Sequence, residues 1–171
     1  MNIFISGPCF IGKSTVSKKL AHIENLVYID LDRERGKIMK IDRPNNSPCS
    51  VSFLNLKVCI PRILEKNNRG FILDIGGDTV FRENSNNQER LEDINWIKEK
   101  YSAILVLLNS NKSSLQQRFL SSKNRKNNEF ENIWGNWQNI EKYYWIQCAD
   151  HIIDTNYKTP LEICSIISSL I

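Results

Sequence analysis

Residues 7–15 read Gly-Pro-Cys-Phe-Ile-Gly-Lys-Ser-Thr, which is the pattern G-x-x-x-x-G-K-[ST]. Such a loop turns successive backbone N–H groups inward around a phosphate. Gly7 and Gly12 permit backbone angles and close approaches that a β-carbon hinders. Lys13 is placed to reach β- and γ-phosphates, and the Ser14 hydroxyl to coordinate Mg²⁺. Pro8, Cys9, Phe10, Ile11 and Thr15 complete the candidate nucleotide cradle. The pattern needs a strand before it and a helix after it. Asn2–Ser6 is a short β-rich run, and Val16 to His22 carries apolar residues at helical spacing. An ordinary Gly-containing β–α turn would not require Lys13 and Ser14 together, so the segment predicts nucleoside-triphosphate binding.

Short apolar runs continue along the chain. Strands are predicted at Asn2–Ser6, Leu26–Ile29, Phe71–Ile75, Ala103–Leu108 and His151–Ile153. Helices are predicted at Lys13–His22, within 33–41 and 51–66, and at Glu89–Lys100, Ser113–Ser121, Ile133–Tyr144 and Pro160–Leu170. The last starts well: Thr159 as cap, Pro160 at the first helical position, Glu162 three residues beyond the cap. Alternating strands and helices imply an α/β fold, a parallel sheet covered on both faces. Ligands then bind beyond the carboxyl ends of the strands. Two segments break the rhythm, the Pro-containing 42–50 and the Asn-rich 121–132. Both read as surface loops, and in a phosphate-handling fold as the places for a substrate region and a lid.

The strand ends hold further candidates. Asp30 and Asp32 close Tyr28-Ile29-Asp30-Leu31-Asp32. Alternation would aim both carboxylates one way, one for a metal's water shell and one for the proton of an incoming hydroxyl. A helix-capping pair is the bland alternative. Leu73-Asp74-Ile75-Gly76-Gly77-Asp78-Thr79 ends the third strand. Its paired glycines suggest close backbone approach to a ligand, and Asp74 is either an acidic partner of the metal or a structural carboxylate. Arg118 and Arg125 lie seven apart. A guanidinium there stacks on a base or clamps a phosphoryl group, or is simply solvated. Trp134, Trp137 and Trp145, with Tyr143 and Tyr144, read as core packing in preference to an aromatic wall for a ligand.

Bulk properties narrow the class. With 171 residues the chain suits one domain, 1–171. Charged residues are 25% and hydrophobic ones 41%, a globular balance that argues against disorder. The net charge of +4 is what a phosphate site accounts for, so nucleic acid is not an expected partner. The cysteines Cys9, Cys49, Cys59, Cys148 and Cys164 have no paired spacing, which predicts free thiols in a reducing compartment. The first strand at residue 2 leaves no room for a leader, and no run reaches transmembrane length. A soluble, cytoplasmic protein is expected.

Together these features resemble the shikimate kinase family of small P-loop kinases, in the nucleoside-monophosphate-kinase-like group. Asp30-Leu31-Asp32 matches the family's Asp-x-Asp, and Gly76-Gly77-Asp78-Thr79-Val80 its Gly-Gly-Gly-[Ser/Thr]-Val. Arg118 and Arg125 match two lid-side arginines, and Asp154 to Pro160 an adenine loop, Asp-Thr-Asn-x-x-x-Pro. The resemblance implies a three-layer P-loop kinase fold, a five-stranded parallel sheet in order 2-3-1-4-5 with an acceptor region near 31–66 and a lid near 121–133. It implies ATP and Mg²⁺ as cofactors and a small hydroxyl compound as acceptor. Asp30 would hold the metal's water shell and Asp32 would engage the acceptor hydroxyl. Arg118 and Pro160 would sandwich adenine, Arg125 would close on the phosphates, and Gly76 and Gly77 would meet the acceptor.

The acceptor side departs from the family. Asp78 replaces its third glycine. The family's substrate-binding Arg in the helix after the lid falls near Glu141 or Lys142, and its Phe-Arg-x-x-Glu element is missing, with Arg62 the candidate replacement. Losing cationic contacts and adding an anion disfavours an anionic acceptor, which predicts a neutral or cationic one. Two other functions fit parts of the chain. A nucleotide or polynucleotide 5′-hydroxyl kinase would use Lys123, Arg125 and Lys126. A GTPase-like switch would use Asp74-Ile75-Gly76-Gly77, but Asn111-Lys112-Ser113-Ser114 lacks the acid that reads guanine.

Overall fold

The computed structural model describes residues 1–41, 56–65, 67–77, 86–122 and 127–171. The loop at 42–50, Asp78 and Arg125 lie outside the described residues. Five strands, β1 (Asn2–Ser6), β2 (Val27–Asp30), β3 (Phe71–Asp74), β4 (Ala103–Asn109) and β5 (His151–Asp154), form one sheet in order β2-β3-β1-β4-β5. Every pairing is parallel. The described helices are α1 (Lys13–Ile23), α2 (Leu31–Ile41), α3 (Leu56–Leu64), α4 (Asn87–Lys100), α5 (Lys112–Ser121), α6 (Asn127–Asn136), α7 (Lys142–Cys148) and α8 (Pro160–Ser168). A π-helical turn, Trp137–Glu141, joins α6 to α7.

Side-chain alternation explains why the sheet is covered twice. Phe4, Phe71, Leu73, Leu105 and Leu107 face a cluster with Cys59, Ile60, Ile94, Ile97, Trp137 and Trp145. Ile3, Ile5, Ile72, Val106 and Leu108 face another with Val16, Leu20, Leu115, Phe119, Ile163 and Ile167. Successive strand residues therefore serve opposite layers, as the period of two demands. Each fully buried Leu, Ile or Phe side chain is worth roughly 1.5–3 kcal/mol of transfer energy, so the central strands anchor the fold.

Three local readings change. β2 ends at Asp30 and α2 starts at Leu31, so Asp30 and Asp32 do not alternate along a strand. Asp30 instead accepts a hydrogen bond from the Arg33 N–H at 3.0 Å, capping the helix, and Asp32 is exposed in its first turn. Acids there meet the positive end of the helix dipole. The Asn-rich 121–132 is not one loop, because α6 begins at Asn127. Phe130 is buried against Phe119, and Phe130, Ile133, Trp134 and Trp137 fall at helical spacing. The aromatic run at 134–145 spans α6, the π-helical turn and α7, with Trp137 and Trp145 in the core and Tyr143 exposed.

Candidate active site

The P-loop connects β1 to α1 at the carboxyl edge of the sheet. Gly7 has φ +149°, and a β-carbon there would lie 2.5 Å from the Leu108 carbonyl oxygen. Only glycine allows the loop to leave β1 so close to β4. Gly12, at φ 99°, stands at the N-cap of α1, whose free N–H groups and dipole favour an anion. The Lys13 ammonium donates to the carbonyls of Gly7 and Pro8, both at 3.0 Å, which holds it across the loop mouth.

Ser14 and Asp74 meet on the other side of that mouth. Ser14 Oγ donates to Asp74 Oδ2 at 2.6 Å. Tyr28 Oη donates to the same oxygen at 3.3 Å. Register explains the grouping: Asp74 pairs with Ile5 on β1 and with Asp30 on β2, so three neighbouring strand ends deliver these groups together. Burial pushes the Asp74 carboxyl above its ordinary range, opposed by the Ser14 hydrogen bond and the Lys13 charge. Burial also raises the Tyr28 phenol, with Asp74 and Asp30 adding to the shift. Tyr28 was not among the sequence candidates. Its signal was its place two residues before Asp30, on the same face of β2.

Arg118 is built into the structure rather than solvated. From α5 it donates to the Ile11 carbonyl at 3.0 Å, to Thr155 Oγ1 at 3.0 Å and to the Thr155 carbonyl at 2.7 Å. It thus ties the P-loop to the loop after β5. That loop is shaped by Asp154, which accepts from the Asn156 N–H at 2.8 Å, and by Asn156, which accepts from Ser110 Oγ at 2.8 Å. Asn-and-Asp turns of this kind fix a backbone locally. A cavity of about 180 Å³ lies alongside, and its lining includes Ile11, Gly12, Thr15, Arg118 and Pro160. α8 begins at Pro160 with the expected capping box between Thr159 and Glu162.

The glycines after β3 sit against the P-loop. A β-carbon on Gly77 would lie 2.6 Å from Glu141 Oε2, 3.1 Å from the Trp137 ring and 3.2 Å from the Gly7 carbonyl oxygen. Trp145 Nε1 donates to the Gly77 carbonyl at 2.8 Å, which fixes this approach from the core. Gly76 is buried beside it. Arg62 lies exposed at the end of α3, and among the described residues it does not line the cavities beside the P-loop. Among the described residues no group of three or more His, Cys, Asp or Glu could hold a metal ion by itself. No described helix is long and apolar enough to cross a membrane.

No curated protein matches the chain. Solved structures do. A shikimate kinase from Acinetobacter baumannii in complex with shikimate matches with TM-score 0.69 at 19% identity, covering 99% of this chain and 91% of that one. A shikimate kinase from Bacteroides thetaiotaomicron matches with TM-score 0.68 at 17% identity, covering 99% and 97%. A gluconokinase from Sinorhizobium meliloti matches with TM-score 0.57 at 12% identity, covering 96% and 87%. At these identities the likeness is one of fold, the five-stranded P-loop kinase architecture. The family model for shikimate kinase matches residues 11–171, nearly the whole length, and on that match the chain belongs to the shikimate kinase family.

Proposed function

We propose that the protein is an ATP- and Mg²⁺-dependent kinase that transfers the γ-phosphoryl group to the hydroxyl of a small molecule. The observation that carries this reading is the Ser14–Asp74 hydrogen bond at the mouth of a P-loop whose lysine lies across the same opening. A hydroxyl that donates to a carboxylate keeps its lone pairs for a cation. Ser14, Asp74 and Asp30 are hard oxygen donors, and Mg²⁺ binds through a few such groups plus phosphate oxygens and waters. The donor set therefore fits that ion. When bound, Mg²⁺ supplies charge neutralisation for the phosphate oxygens.

The chain's own residues do the rest. The P-loop N–H groups, from Cys9 to Thr15, hold the phosphates, and Lys13 stabilises charge on the transferring group. Arg118 and Pro160 flank the cavity proposed for adenine. The acceptor oxygen attacks the γ-phosphorus as ADP leaves, and Asp32 takes the hydroxyl proton. Its place in the first turn of α2, exposed beyond β2, gives it access to an acceptor. Arg125 would close from the lid, and Gly76, Gly77, Asp78 and Arg62 would contact the acceptor. A cytoplasmic setting, where ATP and reduced thiols coexist, suits this chemistry.

The test is ADP release from MgATP across shikimate, sugars, amino-alcohols, nucleosides and a 5′-hydroxyl oligonucleotide, with K13A as control. Stimulation by a small molecule that vanishes in K13A supports the reading. Stimulation by the oligonucleotide alone, or a preference for GTP with no acceptor effect, would replace it.

A further inference from the structure

The phosphate loop bends at a residue type that rarely adopts the required angle. Phe10 has φ 65°, in the left-handed region. It is the third residue of the turn Pro8–Ile11, in which the Ile11 N–H donates to the Pro8 carbonyl at 3.4 Å. At a third turn position with positive φ, glycine or asparagine is usual. A bulky side chain there is an outlier that its surroundings must hold. Those surroundings lie on α5. The Phe10 and Phe119 rings meet edge-on, with centroids 4.9 Å apart and an interplanar angle of 83°. Phe119 is fully buried, and its ring centroid lies 5.6 Å from that of Phe130 on α6. Phe130 in turn stacks on Trp134 at 6.3 Å. The neighbour of Phe119 grips the neighbour of Phe10, since Arg118 donates to the Ile11 carbonyl at 3.0 Å. Two consecutive residues of α5 thus hold two consecutive residues of the phosphate loop, one through a ring and one through a carbonyl.

Edge-to-face aromatic pairs are favourable beyond the area they bury, so this contact offsets the cost of the bend. A glycine would form the same bend without strain and leave it free to open. An anchored ring fixes one geometry before a ligand arrives, and donors fixed in advance are what stabilise charge on a phosphoryl group. We propose that Phe10 is a positioning residue. Its ring, anchored on Phe119, fixes the bend of the phosphate loop and ties that loop to α6, so that the N–H groups from Gly12 to Thr15 are held ready for phosphates. The proposal rests on the kinase reading above. It gives Phe10 a role through its ring on the helix side, in place of contact with the nucleotide.

Calorimetric titrations with MgATP and with inorganic tripolyphosphate test it. F10N keeps a residue type that tolerates the left-handed region and removes the ring. It should weaken both ligands by about tenfold or more, because the effect falls on the phosphate loop and not on the base cavity. F119L keeps an apolar side chain in the core and takes away the other ring, and should weaken both by about threefold or more. In F10N/F119L the loss should be no greater than in F10N, since the same contact is then removed twice. A role confined to stability would leave both affinities unchanged well below the unfolding temperature. F10N within twofold of the wild type, a loss for MgATP alone, or losses that multiply in the double variant overturns the proposal. Denaturant unfolding of the same proteins needs no ligand. The two substitutions should be coupled by about threefold or more in the unfolding constant. If the wild type binds neither ligand, that coupling upholds the anchor and the loss falls on the kinase reading. Independent effects on unfolding overturn the proposal whatever the titrations show.

Discussion

The Ser14 hydroxyl and the Asp74 carboxylate, sixty residues apart in sequence, form a 2.6 Å hydrogen bond that joins the P-loop to the end of β3. Asp74 is 6% exposed, and burial holds its carboxyl above the ordinary range. A buried acid of this kind is a burden on stability that serves the site.

The sign of its pH effect follows. Because the folded-state pKa lies above the unfolded one, the folded protein binds the extra proton between the two values. Stability contributed by this group is therefore lost as pH rises through that window. D74N should be close to wild type in stability at low pH and more stable at higher pH, by an increment that grows through that window and levels off above the raised pKa. It should lose about 10²–10³-fold in Mg²⁺-supported turnover. Thermal unfolding of both proteins from pH 4 to 8 checks the first part, and steady-state rates the second.

Tyr28 meets Asp74 through its hydroxyl. Removing its hydroxyl in Y28F takes away one of two donors to Asp74 Oδ2, the longer one. The expected cost is about 0.5–1.5 kcal/mol, seen as a several-fold rise in the Mg²⁺ concentration for half-maximal rate with little change in ATP affinity. A Mg²⁺ titration at saturating ATP separates these.

Arg118 holds two loops together through three hydrogen bonds from one fork. R118A should weaken MgATP binding by about tenfold to a hundredfold, at about 1.4 kcal/mol per tenfold. R118K should recover little of it, since an ammonium cannot reproduce the planar fork. Calorimetric titration with MgATP measures both.

Trp145 fixes Gly77 from the core through a bond to its carbonyl. W145F keeps most of the buried surface and leaves that carbonyl without its donor, which should cost about 1–3 kcal/mol of stability. The larger effect should fall on the acceptor KM, because Gly77 borders Glu141 and Gly7. Denaturant unfolding and acceptor kinetics check the two.

Much of this architecture was legible in the chain. β1 agrees with its predicted span, and the other strands shift by about one residue, because buried parallel strands are apolar runs that stand out between helices. The P-loop was legible because its chemistry demands residue types at fixed spacing. Arg118 was visible as a position but not as the hub between Ile11 and Thr155, since partners 107 and 37 residues away come from sheet order. The alternation expected of Asp30 and Asp32 does not hold: nothing in Tyr28-Ile29-Asp30-Leu31-Asp32 marks where extended backbone turns to helix, and the cap bond to Arg33 decides it. Glu141 was located only by counting along the chain. Its contact with Gly77 depends on a π-helical turn, which leaves no periodic trace in sequence.

The most direct test of phosphoryl transfer is ³¹P NMR of the products formed from MgATP with the acceptor that best stimulates turnover. A kinase predicts a phosphomonoester resonance that grows in step with ADP and is lost in K13A. Growth of inorganic phosphate alone, at a rate indifferent to every acceptor, would contradict the account.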